Sequence, residues 1–231
     1  MGMEMLGRTG VPGSGFQLKD LFEIQERFKE HCEIHIMKQG DVEAHILVLR
    51  GGVDLLLGAG SSSALFAEQA ALDVDKKAFM YGRVVDKHAR WNLCFDDASH
   101  PPDYAAGKGR VISFSEIPIT QRLHAALPEN FGPKATDLKC EANYYYDVSK
   151  CGIGYHGDTE RRKVIGVRLG ASLDMYWAWF KDGTPIGEPN KISLHSGDIY
   201  VMSEKAVGSD WKKRSIYTLR HATGCAKFTS L

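Results

Sequence analysis

Apolar side chains recur at roughly helical intervals over residues 16–31, where Leu18, Leu21, Phe22, Ile24 and Phe28 are separated by charged positions. That spacing predicts an amphipathic helix. Residues 33–37 and 45–49 read as short strands. Ser61, Ser62 and Ser63 read as the cap of a second helix running to Leu72, with Leu65, Phe66 and Leu72 near one face. From residue 78 the texture changes to strands punctuated by turns. Strand character falls on residues 79–85, 110–112, 140–146, 164–169, 173–180, 191–194, 198–202 and 216–221, with one further short helix at 121–127. Turn chemistry separates them at Lys181-Asp182-Gly183, Gly187-Glu188-Pro189-Asn190 and Ser196-Gly197. Helices first and many antiparallel strands afterwards predict an α+β fold. Its core would be a double-stranded β-helix, or jelly roll, buttressed by the N-terminal helices.

The Gly-rich segment 1–15 reads as a flexible leader, leaving residues 16–231 as a single domain: a helical and substrate-recognition part (16–138) and a jelly-roll core (139–231). The leader lacks the apolar run of a signal peptide, and Leu6 stands where a myristoylation signal needs Ser or Thr. The longest apolar stretch, residues 44–59, is broken by Arg50, Gly51, Gly52 and Asp54, so it cannot span a bilayer. With 43% hydrophobic and 25% charged residues, the expectation is a soluble intracellular protein of cytoplasm or nucleus, without a membrane partner. Lys+Arg and Asp+Glu are equal at 29 each, so a globally basic nucleic-acid binder is not indicated, although local patches are possible. Five cysteines without a CxxC pair argue against a disulfide framework or a cysteine zinc site. Oligomeric state is not legible.

The chemistry concentrates at Tyr155-His156-Gly157-Asp158. On extended backbone, residues two apart point to the same side, so His156 and Asp158 can face one metal ion. With a distant histidine they make the two-histidine, one-carboxylate set that suits non-haem Fe(II) and leaves coordination positions open. After Asp158 only His195 and His221 remain; His195 directly precedes the Ser196-Gly197 turn, and His221 ends a plausible strand.

Read in order, Asn143-x-Tyr145, His156-x-Asp158, the strand Val164-Ile165-Gly166-Val167-Arg168-Leu169-Gly170, the Gly197-Asp198-opened strand and a late histidine resemble the AlkB-like branch of the Fe(II)/2-oxoglutarate-dependent dioxygenases. The resemblance runs from about residue 65 to the end. Gly82-Arg83 through Lys87-His88-Ala89-Arg90-Trp91-Asn92 is similar to that family's substrate-recognition segment. The resemblance implies that His156, Asp158 and His221 bind Fe(II), and that Asn143 and Tyr145 hold the co-substrate 2-oxoglutarate. Lys87, Arg90 and Asn92 would face substrate. Molecular oxygen would take the last position on the metal, and a methylated nucleic-acid base would be demethylated.

The chain departs from the family pattern in two respects, the first being a loop over residues 204–214 that is longer than usual. No arginine follows His221, so Lys227 or Arg168 would have to meet the far carboxylate of 2-oxoglutarate. A competing register matches Arg214-x-x-x-Thr218-x-Arg220 to the family's Arg-rich final strand. It puts the distal ligand near residues 209–211, where there is no histidine. Two rivals stay open: a dioxygenase acting on a protein side chain or small molecule, and a non-catalytic jelly-roll binding module with a degenerate metal site.

Overall fold

A computed structural model describes residues 10–231. The first nine residues of the expected leader lie outside the described residues. From Gly13 onward the segment is held, because the backbone N–H groups of Gly13 and Gly15 donate to the Glu204 carboxylate at 3.0 and 2.8 Å and Phe16 is buried.

Helix α1 (Leu18–Phe28) leads into the antiparallel hairpin of β1 (Cys32–Gln39) and β2 (Val42–Leu49). A short helix α2 (Gly52–Leu57) follows, then α3 (Ser61–Ala70). The serine run does not cap α3 with its own side chains. Gly60 occupies the cap, and the Asp54 carboxylate reaches over to accept from the N–H (2.6 Å) and hydroxyl (3.1 Å) of Ser62. The single strand expected over residues 79–85 is instead a hairpin, β3 (Lys77–Met80) and β4 (Arg83–Asp86). Its two-residue turn, Tyr81-Gly82, has positive φ at both positions (55° and 76°), which matches the strands' twist. Strand β5 (Trp91–Asp96) occupies part of the expected substrate-recognition segment, and β6 (Val111–Ser113) pairs with it in parallel.

Helix α4 (Pro118–Phe131) is longer than the short helix read from the sequence, starting on Pro118 at its first turn and ending at Gly132. The chain then builds β7 (Cys140–Tyr144), β8 (Gly152–His156), β9 (Val164–Val167), β10 (Leu173–Lys181), β11 (Thr184–Leu194) and β12 (Ile199–Met202). A short helix α5 (Glu204–Val207), strand β13 (Thr218–Gly224) and helix α6 (Ala226–Thr229) complete it.

These strands form two antiparallel four-stranded sheets, β1-β2-β12-β9 and β11-β10-β13-β8, beside a three-stranded sheet β6-β5-β7. Ile46, Val48 and Met202 from the first large sheet share one apolar cluster with Met175, Trp177, Trp179 and Leu219 of the second. The opposite face of the first sheet, through Leu47, Leu49, Ile199 and Val201, packs on Leu21, Val53, Leu65 and Leu127 from the four long or short helices α1 to α4. Strand β2 is therefore covered on both faces, which is why its sequence runs apolar instead of alternating. The result is an α+β fold of three layers, helices on sheet on sheet. Asp198 locks the layers at one end, accepting from Arg50 (2.7 Å), from Gly51 N–H (3.0 Å) and from His195 N–H (2.9 Å). Among the described residues no helix is long and apolar enough to cross a membrane.

Candidate metal centre

Strands β8 and β13 pair so that His156 and His221 are direct cross-strand partners, which places both rings on one face of the second sheet. Their centroids lie 4.4 Å apart. Asp158 sits two residues beyond, just outside β8, and its carboxylate turns back between them. Its Oδ1 is 3.7 Å from His156 Nε2, and its Oδ2 is 3.8 Å from His221 Nε2. Two donors that each sit about 2.1 Å from one ion can be at most about 4.2 Å apart. Both histidine–aspartate separations fall inside that limit, and one ligating atom from each of the three residues lies within 4.8 Å of the others.

The protonation pattern also fits a metal. His156 Nδ1 lies 2.8 Å from the carbonyl of Gly154, which accepts its proton and leaves Nε2 as a bare donor atom aimed at Asp158. His221 is only 5% exposed. Burial first, then the neighbouring His156, holds its pKa well below the usual imidazole range; the Ala206 backbone works in the opposite direction, and Arg161 adds to the depression. A neutral imidazole is the ligating form. The residue types and spacing therefore fit a first-row divalent ion.

The loop carrying Asp158 is pinned by contacts that its sequence does not announce. The Asp158 N–H donates to the carbonyl of Val207 at the end of α5 (3.0 Å), and Trp211 Nε1 donates to Thr159 Oγ1 (2.9 Å). Gly157 packs directly on Gly208: a Cβ at position 157 would stand 2.0 Å from the Gly208 carbonyl oxygen. Gly208 itself adopts φ +73°, a conformation that glycine supplies at low cost. Arg161 completes the surround, with one guanidinium nitrogen 2.5 Å from Glu141 Oε1 and another 3.8 Å from Asp158 Oδ2.

The His156, Asp158 and His221 cluster opens into a cavity of about 1540 Å³, whose wall includes Tyr145, Arg168, Met175, Tyr200, Met202 and Thr223. Asn143 also lines it, but its side-chain oxygen already accepts from Asn92 Nδ2 (2.6 Å), its register partner on β5, and from Arg90 Nε (2.8 Å) just before that strand. Arg90 reaches the wall; Asn92 is buried behind it, and Lys87 stands outside the wall with its pKa lowered by burial. Lys227 lies on α6 against the ring of Phe228 (5.6 Å) and is not part of the wall. Arg220, next to His221 on β13, faces the other side of the sheet, with its guanidinium 3.9 Å from the Phe180 ring centroid. Arg214 turns to the carbonyl of Asp182. The Arg-rich register therefore does not bring those cations to His156, Asp158 and His221.

Arg168 is different. Its guanidinium faces the ring of Tyr145 at 5.9 Å, and among the described residues it has neither an ion pair nor a hydrogen bond. The place of Tyr200 in the cavity wall, the packing of Gly157 on Gly208 and the contacts of Arg161 with Glu141 and Asp158 were not legible in the sequence. The register between β9 and β12 brings Tyr200 to the wall, the approach of α5 to the His-x-Asp loop sets Gly208 on Gly157, and Glu141 on β7 holds Arg161.

No family model matches the chain. An uncharacterized protein of Acanthamoeba polyphaga mimivirus is 45% identical over 239 residues, an alignment covering 99% of this chain and 92% of that protein. Identity of that extent across nearly both chains means that the protein belongs to the same family as this mimivirus protein.

Proposed function

We propose that the protein is an AlkB-like Fe(II)- and 2-oxoglutarate-dependent dioxygenase built on a jelly-roll core. One observation carries the reading: a convergent His156, Asp158, His221 set shares its cavity with Arg168, whose guanidinium has no hydrogen bond or ion pair among the described residues. Support for the jelly roll comes from strand order. From β8 to β13 the chain passes between the two large sheets repeatedly, with β9 and β12 in one and β8, β10, β11 and β13 in the other.

In this reading His156, Asp158 and His221 would hold the iron. Arg168 and Tyr145 would receive the far carboxylate of 2-oxoglutarate, a charge-assisted contact that Lys227 is not placed to make. Fe(II) with 2-oxoglutarate and molecular oxygen supplies an oxidant able to attack an unactivated C–H bond, with succinate and carbon dioxide as co-products. Met175 and Met202 in the wall keep the neighbourhood of the metal apolar and exclude water.

The proposed substrate is a methylated nucleic-acid base, flipped or unpaired so that it enters the cavity. The wall supplies Lys76, Arg90, Lys139, Arg162 and Lys163 for phosphate, and its volume exceeds the roughly 300–1,000 Å³ usual for a small-molecule site. Hydroxylation of a protein side chain is the second reading, favoured by Asp73, Asp137 and Glu160 in the same wall and by the formal net charge of +0.

The test is iron-dependent succinate formation from 2-oxoglutarate. His156→Ala and Asp158→Ala should each reduce it to background, and turnover unchanged in either refutes the assignment. Formaldehyde released from a methylated oligonucleotide, but not from methylated peptides, would separate the two substrate readings.

A further inference from the structure

We infer that the loop of residues 208–217, which joins α5 to β13, carries a binding surface for single-stranded nucleic acid outside the cavity. The surface needs neither metal nor co-substrate, so it stands apart from the dioxygenase reading. The loop contains Trp211-Lys212-Lys213-Arg214, and residues 212–216 are exposed. A cationic run on a loose loop is as a rule merely solvated. This loop is held at its base, its middle and its tip. Lys205 Nζ donates to Asp210 Oδ2 (2.7 Å) and to the Tyr217 carbonyl (2.6 Å), closing the base. Trp211 Nε1 donates to Thr159 Oγ1 (2.9 Å). On the outer face of the second large sheet, the Arg220 guanidinium lies 5.2 Å from the Trp211 ring and 3.9 Å from the Phe180 ring. The tip rests on the β10–β11 turn, where Arg214 Nη2 donates to the Asp182 carbonyl and Lys181 Nζ to the Ser215 carbonyl, both at 2.9 Å.

Pinned in this way, Lys181, Lys212, Lys213 and Arg214 form one cluster, and among the described residues none of them has an ion pair. Asp210 is engaged by Lys205, so Asp182 is the acid beside the cluster, in a chain whose formal net charge is +0. Fixed positive charge in excess attracts a polyanion, and cations ordered beforehand lose little entropy on binding it. The surroundings indicate which polyanion. Trp211 and Tyr217 border the cations, with Lys212 and Lys181 over their rings at 5.6 and 4.8 Å. Cations in a row beside aromatic rings track the backbone of a single strand. Through Thr159, Trp211 also adjoins the wall segment that carries Arg162 and Lys163, so a strand leaving the cavity there would continue onto the loop. An anionic bilayer fits less well, because surface binding needs apolar anchors and the loop offers Ile216, 38% exposed.

The experiment is fluorescence anisotropy of a labelled, unmethylated oligothymidylate with the metal-free full chain, over a series of salt concentrations. The double variant Lys212→Glu, Lys213→Glu should weaken binding by about tenfold. It should also lower the slope of log Kd against log salt by about 1.4, at about 0.7 for each phosphate of a single strand. The double variant Lys19→Glu, Lys29→Glu makes the same change in net charge at exposed positions in and just after α1, and should bind as the parent does. Unchanged affinity and slope in the loop variant overturn the inference, as does an equal loss in the α1 variant. A parent chain that binds phosphatidylserine vesicles or polyglutamate as tightly as the oligonucleotide overturns it too. Failure of iron-dependent succinate formation would instead refute the dioxygenase reading and leave the loop surface standing.

Discussion

Gly157→Ala tests the proposed metal centre through its backbone support and leaves His156, Asp158 and His221 unchanged in sequence. The added methyl would lie 2.0 Å from the Gly208 carbonyl oxygen, 2.7 Å from the carbonyl carbon and 2.8 Å from Trp211 Cβ. Contacts below 3.0 Å essentially do not occur, so one side must retreat by about 1 Å. Gly208 has little room to do so, because the Leu219 carbonyl of β13 lies behind it, 2.5 Å from where its own Cβ would be. The displacement therefore falls on the peptide joining His156 to Asp158, or on β13 close to His221. Metal sites tolerate about 0.2 Å in ligand distance, so affinity for Mn(II) or Co(II) should fall by about 10–100-fold. Overpacking adds about 1–3 kcal/mol of destabilisation. Calorimetric titration with the metal, beside urea denaturation, reads both effects. Gly154→Ala is the control on the same strand, since its Cβ meets only the Phe228 carbonyl at 3.8 Å and should be tolerated. Gly157→Ala binding metal with parental affinity would refute the idea that this close approach sets the Asp158 position.

Two further outcomes follow from burial. Because His221 has its pKa depressed in the folded state, the unfolded chain binds more protons below the ordinary value of 6.5. Stability of the metal-free protein should be fully present above that pH and decline as pH falls through and below it toward the depressed folded value. His221→Gln should flatten this part of the urea-midpoint profile, and an unaltered slope would count against the buried neutral imidazole. Trp177, fully buried in the cluster shared by the two large sheets, should cost about 3–5 kcal/mol as Trp177→Ala, lowering the thermal midpoint by roughly 10 °C. Differential scanning calorimetry checks this, and a shift of a degree or two would mean that the inter-sheet core relaxes around the loss.

The legible parts of the molecule were those governed by local periodicity. Helix α1, β1, β10 and β12 carry their pattern openly, and His156 and Asp158 are close enough in sequence for strand geometry to place them together. His221 came within reach because few histidines follow Asp158, although it sits inside β13 and not at its end. Other features depend on contacts between distant segments. Tyr81 takes positive φ in the β3–β4 turn, an unfavourable choice for a bulky residue that a strand reading passes over. The Val53 to Leu57 run gave no helical period over so short a length, so α2 was missed. The Asn143-x-Tyr145 motif fixes neighbours in sequence and not what the Asn143 side chain touches. Its engagement by Arg90 and Asn92 follows from the pairing of β5 with β7, which the motif does not encode.

Strand β9 has a single neighbour, β12, among the described residues, and its whole length borders the cavity. One rim of the chamber is therefore a row of peptide amides and carbonyls that pair with no protein strand. Such a rim offers whatever enters a fixed ladder of donors and acceptors. Replacing one amino acid by another along it would alter bulk and charge yet leave that ladder almost intact.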